Sequence, residues 1–175
     1  LNDILDYSSN SHKEIILEVI DFPNLIKETF EELQFMENAQ KLELLTVYQL
    51  EGTFYSDPKR LQIVFRNLIS NSIKYQASKK EKSFLKIEIN QKAEGALLIF
   101  EDNGIGIADD MKDKVFKMFF KASERSIGSG IGLYIVKEAV EKLGGDINLH
   151  SEIGKGSQFK IFIQNQNAQT KFNNS

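Results

Sequence analysis

Cysteine is missing altogether from this 175-residue chain. Without thiols there is no disulfide framework, no thiolate metal site and no cysteine nucleophile, and the composition suits a reducing compartment. Histidine is nearly absent as well. His12 and His150 are the two present, and neither belongs to a His-x-x-x-His or His-Glu-x-x-His pair, which excludes a histidine-built zinc site. Neither has a carboxylate partner at catalytic spacing. No apolar run approaches the length of a membrane span, and no signal-peptide pattern opens the chain. Charge of one sign is lacking too: 22 basic against 25 acidic residues leave −3, which argues against a nucleic-acid surface driven by bulk charge and leaves a local basic pocket open. What remains is 41% hydrophobic residues, enough to give one domain a real core. The start at Leu1 rather than Met suggests a piece of something longer.

The chain is organised around 66–75, which reads as an amphipathic helix with Leu61, Phe65, Leu68 and Ser72 down one face. Asn67, Asn71 and Lys74, at i, i+4 and i+7, make a polar stripe beside that face. An amide oxygen is a hard, neutral ligand that suits Mg²⁺, and an ammonium suits phosphate; for the stripe alone an ordinary solvated edge is an equal alternative. Ser56-Asp57-Pro58 supplies a cap and an N-terminal proline for this helix. Before it, the pattern predicts a strand over 14–22, a long surface helix over 24–44 and short strands over 45–56, with a turn at Glu51-Gly52. After it come a lysine-rich loop and a strand alternating Leu85, Ile87 and Ile89. A strand over 96–101, apolar enough to be buried on both faces, runs straight into Asp102. A short helical stretch over 109–120 precedes a loop over 121–128. A helix then carries Gly132, Val136, Ala139 and Leu143 on one face and is stopped by Gly144-Gly145. Two alternating strands, 146–150 and 158–163, close a hairpin. The polar chain from Gln164 onward reads as a frayed tail. This order predicts an α/β (α+β) sandwich, a mixed β-sheet covered on one face by helices. No internal repeat stands out.

Two glycine-rich turns carry most of the chemical signal. Asp102 ends a buried strand, where its carboxylate can accept a hydrogen bond from an exocyclic amine such as that of adenine. Gly104 and Gly106 would let the backbone pass close to a flat ring, although Asp-Asn-Gly is equally a plain turn signal. Gly128-x-Gly130-x-Gly132 at a helix start is a phosphate signal, because backbone amides there donate to anions. It fits neither the Walker nor the dinucleotide pattern, and a hinge or close helix packing is the alternative. Phe116, Phe119 and Phe120 are core by default and also suit a lid anchor, with Lys121 and Arg125 in reach of a phosphate. Asp109 and Asp110 read as first-turn helix charges. Gly154-Lys155-Gly156-Ser157 reads as a hairpin turn, with Ser157 a conceivable pocket member.

Taken together these segments resemble the catalytic and ATP-binding domain of sensor histidine kinases, within the wider gyrase, heat-shock chaperone, kinase and mismatch-repair ATPase superfamily. Asn67-Leu-Ile-Ser-Asn71-Ser-Ile-Lys74-Tyr75 resembles the asparagine box and Asp102-Asn-Gly104-Ile-Gly106-Ile107 the first glycine box. Phe116-Lys-Met-Phe119-Phe120 resembles the phenylalanine box. Gly128-Ser129-Gly130-Ile131-Gly132-Leu133 resembles the second glycine box, and Gly154-Lys-Gly156-Ser157 the final small box. The resemblance implies a Bergerat ATP-binding fold with ATP and Mg²⁺ as cofactors. It implies catalytic roles for Asn67, Asn71 and Lys74, with Asn71 on the metal, Lys74 near phosphates, Tyr75 beside the base and Asp102 on the adenine amine. Lys121 stands where the family often has arginine. The short segment before the second glycine box implies a small lid.

The same resemblance makes 1–12 the end of a dimerisation helix and linker, 13–165 the catalytic ATP-binding domain and 166–175 a polar tail. The expected partners are the histidine-bearing dimerisation domain of the same kinase and a response-regulator receiver domain. The full-length protein is expected to be a homodimer, with no nucleic acid and no membrane contact made by this piece. A cytoplasmic location, including the cytoplasmic part of an anchored sensor, follows. Neither histidine has the family's acceptor context, so the expected activity is that of a protein-histidine kinase whose acceptor lies outside this chain. Hydrolysing superfamily members carry glutamate four residues before the metal asparagine. Here Asn67 stands there, and its amide cannot act as a base at neutral pH. That favours phosphoryl transfer in two-component signalling over a hydrolytic ATPase, while the intact Asn71, Asp102 and glycine boxes count against a non-catalytic nucleotide-binding module.

Overall fold

Two helices begin with the same device, an aspartate cap and a proline in the first turn. The computed structural model describes residues 14–78, 80–121 and 129–166. Helix α1 (Phe22–Leu33) starts at Asp21, whose carboxylate accepts from the Asn24 amide, with Pro23 following. Helix α2 (Pro58–Lys74) starts at Asp57, which accepts from the Lys59 and Arg60 amides at 3.0 and 3.1 Å. The same carboxylate accepts from the Ile16 amide at 3.2 Å and pairs with the buried Arg60 guanidinium. Helix α3 (Gly132–Lys142) stops at Gly144, which takes φ +69°, while the Gly145 amide returns to the Val140 carbonyl.

Seven strands complete the chain: β1 (Glu18–Val19), β2 (Leu42–Leu50), β3 (Tyr55–Ser56), β4 (Ser83–Gln91), β5 (Gly95–Asp102), β6 (Asp146–Glu152) and β7 (Gly156–Gln164). The main sheet has the order β2-β4-β5-β7-β6, with β2 parallel to β4 and every other pair antiparallel. A two-stranded ribbon pairs β1 with β3. Period-2 alternation sends Leu85, Ile87 and Ile89, then Ala96, Leu98 and Phe100, then Phe159, Ile161 and Ile163, to the face covered by helices. There they meet Leu61, Phe65 and Leu68 of α2, Val136 and Ala139 of α3 and Ile26 of α1. Phe65 and Phe100 meet edge-on at 5.0 Å, and Phe22 packs on Phe54 at 5.2 Å. The expected mixed sheet with helices on one face is what the chain forms.

Several local expectations differ. The strand foreseen over 14–22 is reduced to two residues, because its partner β3 is itself only two residues long and Ile16 and Val19 face solvent. The long helix foreseen over 24–44 ends at Leu33. Asn38 then takes φ +67°, a 3-10 turn covers Ala39–Lys41, and Leu42 already begins β2. Register along all nine residues of β4 outweighs helix propensity there. The stretch over 109–120 holds only one 3-10 turn, Asp109–Met111. Its aromatics diverge: Phe116 meets Phe159 edge-on at 6.5 Å while Phe119 is exposed with φ +64°, so no single helical stripe could serve both. Leu97 and Ile99 of β5 are half-exposed on the uncovered face rather than buried. Residues 164–166 are not frayed. Gln164 is the last residue of β7. Asn165 accepts from the Tyr55 amide and donates to the Thr53 and Ala93 carbonyls, and the Gln166 amide donates to the Tyr55 carbonyl. Residues 1–13 and 167–175, which include His12 and nearly all of the expected linker and tail, lie outside the described residues.

Candidate functional site

The sheet-facing side of α2 is apolar apart from Ser72 at its end, which leaves its polar stripe to face sideways into a gap between α2, the chain after β5 and the start of α3. That gap is a cavity of about 430 Å³ lined by Asn67, Asn71, Lys74 and Tyr75 from α2 and its C-cap. Asn67 is buried; its side-chain amide donates to the Ile63 carbonyl at 2.8 Å. Its oxygen faces Gly132, where an added β-carbon would lie 2.8 Å away.

Asp102 reaches the cavity from the end of β5. Its Oδ1 accepts from the Gly104 amide at 2.8 Å and the Ser157 amide at 3.3 Å, and Ser72 Oγ lies 3.4 Å from Oδ2. Burial raises its pKa above the ordinary aspartate value; the amide and hydroxyl hydrogen bonds and the nearby Lys80 charge oppose that only in part. Lys80 Nζ donates to the carbonyls of Asn103 and Lys155, tying the loop after α2 to both turns beside Asp102.

The glycines here are dictated by chain against chain. A β-carbon at Gly106, which has φ +72°, would lie 2.0 Å from the Glu152 carbonyl oxygen, and one at Gly156 would lie 1.9 Å from the Asp102 carbonyl oxygen. The first glycine turn and the β6–β7 turn are thus wedged together, and the Gly154 amide donates to the Ile105 carbonyl at 2.8 Å.

Of the residues singled out from the sequence, Asn67, Asn71, Lys74, Tyr75, Asp102, Gly106, Ile107, Lys121, Gly130, Gly132, Leu133 and Ser157 converge on this one cavity. Of the aromatics, Phe120 also lines it and Phe116 and Phe119 do not; nor do Gly104, Ser129 and Ile131. Gly104 is set back against the Tyr75 carbonyl. Ser129 Oγ accepts from the Ile131 amide at 3.3 Å, and Ile131 is buried beside Ile63 and Ile135. Gly128 and Arg125 lie outside the described residues.

Sequence reading missed the apolar wall: Ile105, Ala108, Met111, Val115, Ile153 and Phe159. The signal available was two isoleucines inside polar turns, Ile105 and Ile153, which remain 48% and 68% exposed because they rim the opening. Among the described residues no cluster of histidine and carboxylate side chains could hold a metal. Cavity chemistry therefore consists of one desolvated carboxylate, amides, two lysines and an apolar slot, a set suited to a flat polar ring joined to anionic oxygens.

Residues 56–167 match the family described as histidine kinase-, DNA gyrase B-, and HSP90-like ATPase. The chain belongs to that family. Within it the relatives are sensor kinases. The chain is 31% identical over 173 residues to the aerobic respiration control sensor protein ArcB of Escherichia coli, covering 93% of this chain and 22% of ArcB. It is 31% identical over 176 residues to the circadian input-output histidine kinase CikA of Synechococcus elongatus, covering 95% and 23%. The chain thus spans about a fifth of the length of the curated relatives it matches. Among solved structures, the Acinetobacter baumannii histidine kinase AdeS superposes with a TM-score of 0.74 at 26% identity, over 95% of this chain and 77% of that one. Full-length ShkA in complex with AMPPNP shares the fold, with a TM-score of 0.77 at 22% identity over 93% and 34%.

Proposed function

We propose that this chain binds ATP in the 430 Å³ cavity and presents its terminal phosphate for transfer to a histidine on a dimerisation domain, as part of a two-component sensor kinase. The observation that carries the reading is Asp102. Its Oδ1 is occupied by two backbone amides, which leaves Oδ2 to accept from the exocyclic amine of a base. Family membership and the ATP-analogue complex of ShkA support the nucleotide.

The donor set fits the group. Ile105, Met111, Val115 and Phe159 supply apolar walls for a purine, with Tyr75 beside it. Lys74 and Lys121 supply cationic donors for phosphate oxygens, and the amides at the start of α3, around Gly130 and Gly132, add helix N-terminal donors. Asn71 offers an amide oxygen to Mg²⁺, whose remaining ligands must be phosphate oxygens and water. Bound there, Mg²⁺ would neutralise charge developing on the transferring group.

Transfer rather than hydrolysis follows from Asn67. Its side-chain amide donates to the Ile63 carbonyl, and its neutral carbonyl oxygen, unlike a carboxylate, cannot accept a proton from water at neutral pH. An imidazole acceptor needs little deprotonation near neutral pH. The acceptor histidine, a receiver domain downstream, dimerisation through the histidine-bearing domain and a cytoplasmic location belong to this proposal. Among the described residues no helix is long and apolar enough to cross a membrane.

Calorimetric titration with ATP, with and without Mg²⁺, tests the site. Binding is expected in the parent, lost in Asp102→Ala and stripped of its Mg²⁺ dependence in Asn71→Ala. Phosphate transfer to a separately supplied histidine-bearing dimerisation domain, without ADP release in its absence, tests the reaction. ADP release by the chain alone would point to a hydrolase.

A further inference from the structure

Ser151 lies in β6 behind the cavity wall, buried, and lines no part of the cavity. Its hydroxyl has three partners. Oγ accepts from the Ile107 amide at 2.8 Å, donates to the Gly156 carbonyl at 2.8 Å and lies 2.9 Å from Ser157 Oγ.

A serine hydroxyl has one proton. Spent on the Gly156 carbonyl, it leaves Ser151 only lone pairs to offer Ser157. The 2.9 Å contact must then carry the Ser157 proton, which points away from the cavity. Ser157 consequently turns lone pairs toward the cavity it lines. Next to it, Asp102 has Oδ1 taken by the Gly104 and Ser157 amides, which leaves Oδ2 as an acceptor. Ser72 adds no donor to this surface, since its single proton is placed between the Leu68 carbonyl at 3.2 Å and Asp102 Oδ2 at 3.4 Å.

We propose that Ser151 is a positioning residue: by fixing the Ser157 proton it makes the surface around Asp102 all-acceptor, so the cavity selects a 6-amino purine and rejects a 6-oxo purine. The inference rests on the ATP reading above and assigns that reading a specificity device. A 6-oxo purine also carries N1–H, which an acceptor can take; the mismatch lies at C6, where the carbonyl finds no proton and buried acceptors are left facing each other. Removing the Ser151 hydroxyl frees the Ser157 proton to turn into the cavity and satisfy that carbonyl.

The experiment compares calorimetric affinities for ATP and inosine triphosphate in the parent, Ser151→Ala, Ser151→Thr and Ser157→Ala, with thermal melting to confirm folding. The parent is expected to prefer ATP. Ser151→Ala narrows the ratio of the two affinities by about fivefold, the effect of one neutral hydrogen bond, chiefly by gaining inosine triphosphate affinity. Ser151→Thr, which keeps the hydroxyl, restores the ratio. Equal weakening of both nucleotides in Ser151→Ala would overturn the proposal, because a residue that merely anchors the Ile107 loop acts on both alike. Should Ser151→Ala fail to fold, Ser157→Ala decides. Loss of an acceptor weakens ATP selectively and lowers the ratio, whereas a ratio that rises means Ser157 donates into the cavity and the proposal fails. A parent that binds neither nucleotide refutes the ATP reading itself, an outcome distinct from an unchanged ratio.

Discussion

Asn67 of α2 faces Gly132 of α3: a β-carbon added at 132 would lie 2.8 Å from the Asn67 side-chain oxygen. The start of α3, and the glycine turn before it, are therefore seated on the polar stripe of α2. Gly132→Ala is expected to destabilise the domain by about 1–3 kcal/mol through overpacking. Combined with Asn67→Ala most of that loss should vanish, giving a coupling of opposite sign to the single cost. Urea denaturation of the four proteins checks it, and additive losses would place the strain elsewhere.

Asp102 couples protonation to both stability and binding, in opposite directions. Burial raises its folded pKa, so the free protein holds a proton there more tightly than the unfolded chain does. Stability from this group is fully present below the unfolded pKa and is lost as pH rises through the folded one. An amine donor, in contrast, wants the carboxylate, so affinity for ATP should fall on acidification at a pH above the ordinary aspartate range. At neutral pH, Asp102→Asn should raise the melting temperature of the free domain while weakening ATP by about tenfold or more. The stability difference should close as pH falls. Melting curves and titrations across pH, with Asp102→Asn as the control for titration of ATP itself, check both signs.

Gly154 and Gly156 sit two residues apart in one turn yet should respond differently. Both have positive φ, but a β-carbon at Gly154 meets nothing within 4 Å, while one at Gly156 meets the Asp102 carbonyl oxygen at 1.9 Å. Gly154→Ala is expected to cost about 1 kcal/mol of backbone strain. Gly156→Ala must push β7 away from β5 and should cost about 3 kcal/mol or more, with ATP binding lost alongside. Circular dichroism melts of the two variants, run in parallel, separate the cases.

Asp57 joins three jobs in one carboxylate: it caps α2, pairs with Arg60 and accepts from the Ile16 amide. Asp57→Ala leaves the buried Arg60 without this partner and removes a cap, an expected loss of about 3–5 kcal/mol. Asp57→Asn, which keeps the capping oxygen, should recover part of it. Denaturant midpoints check the order parent, Asn, Ala.

The frame was legible wherever one periodicity ran uninterrupted. Leu85-Ile87-Ile89, the stripe Leu61-Phe65-Leu68 and the face Val136-Ala139-Leu143 all read correctly because each buries a single face. The caps at Asp57 and Gly144 read correctly because they satisfy local backbone groups. Legibility failed where a distant partner decides. Leu42 and Leu44 suit a helix or a strand until β4 offers nine residues of pairing. The aromatics after Met111 obey separate neighbours. In the cavity, polar members announced themselves by residue type and spacing. Ile153 and Phe159 did not, since an isoleucine in a turn and a phenylalanine in a strand look alike whether they face a core or a ligand. Ser151 and Ser157, six residues apart, gave no sign of sharing a proton.

The cavity gathers its walls from α2, the turn after β5, the start of α3 and the β6–β7 hairpin, pieces that come from the middle and the far end of the chain. Any molecule that fills it acts as a removable crosslink between them. At a ligand concentration a hundred times its Kd, mass action alone adds about 2.7 kcal/mol to the folded state. The domain is thus its own reporter: a melting shift ranks ligands without an acceptor, a radiolabel or a turnover.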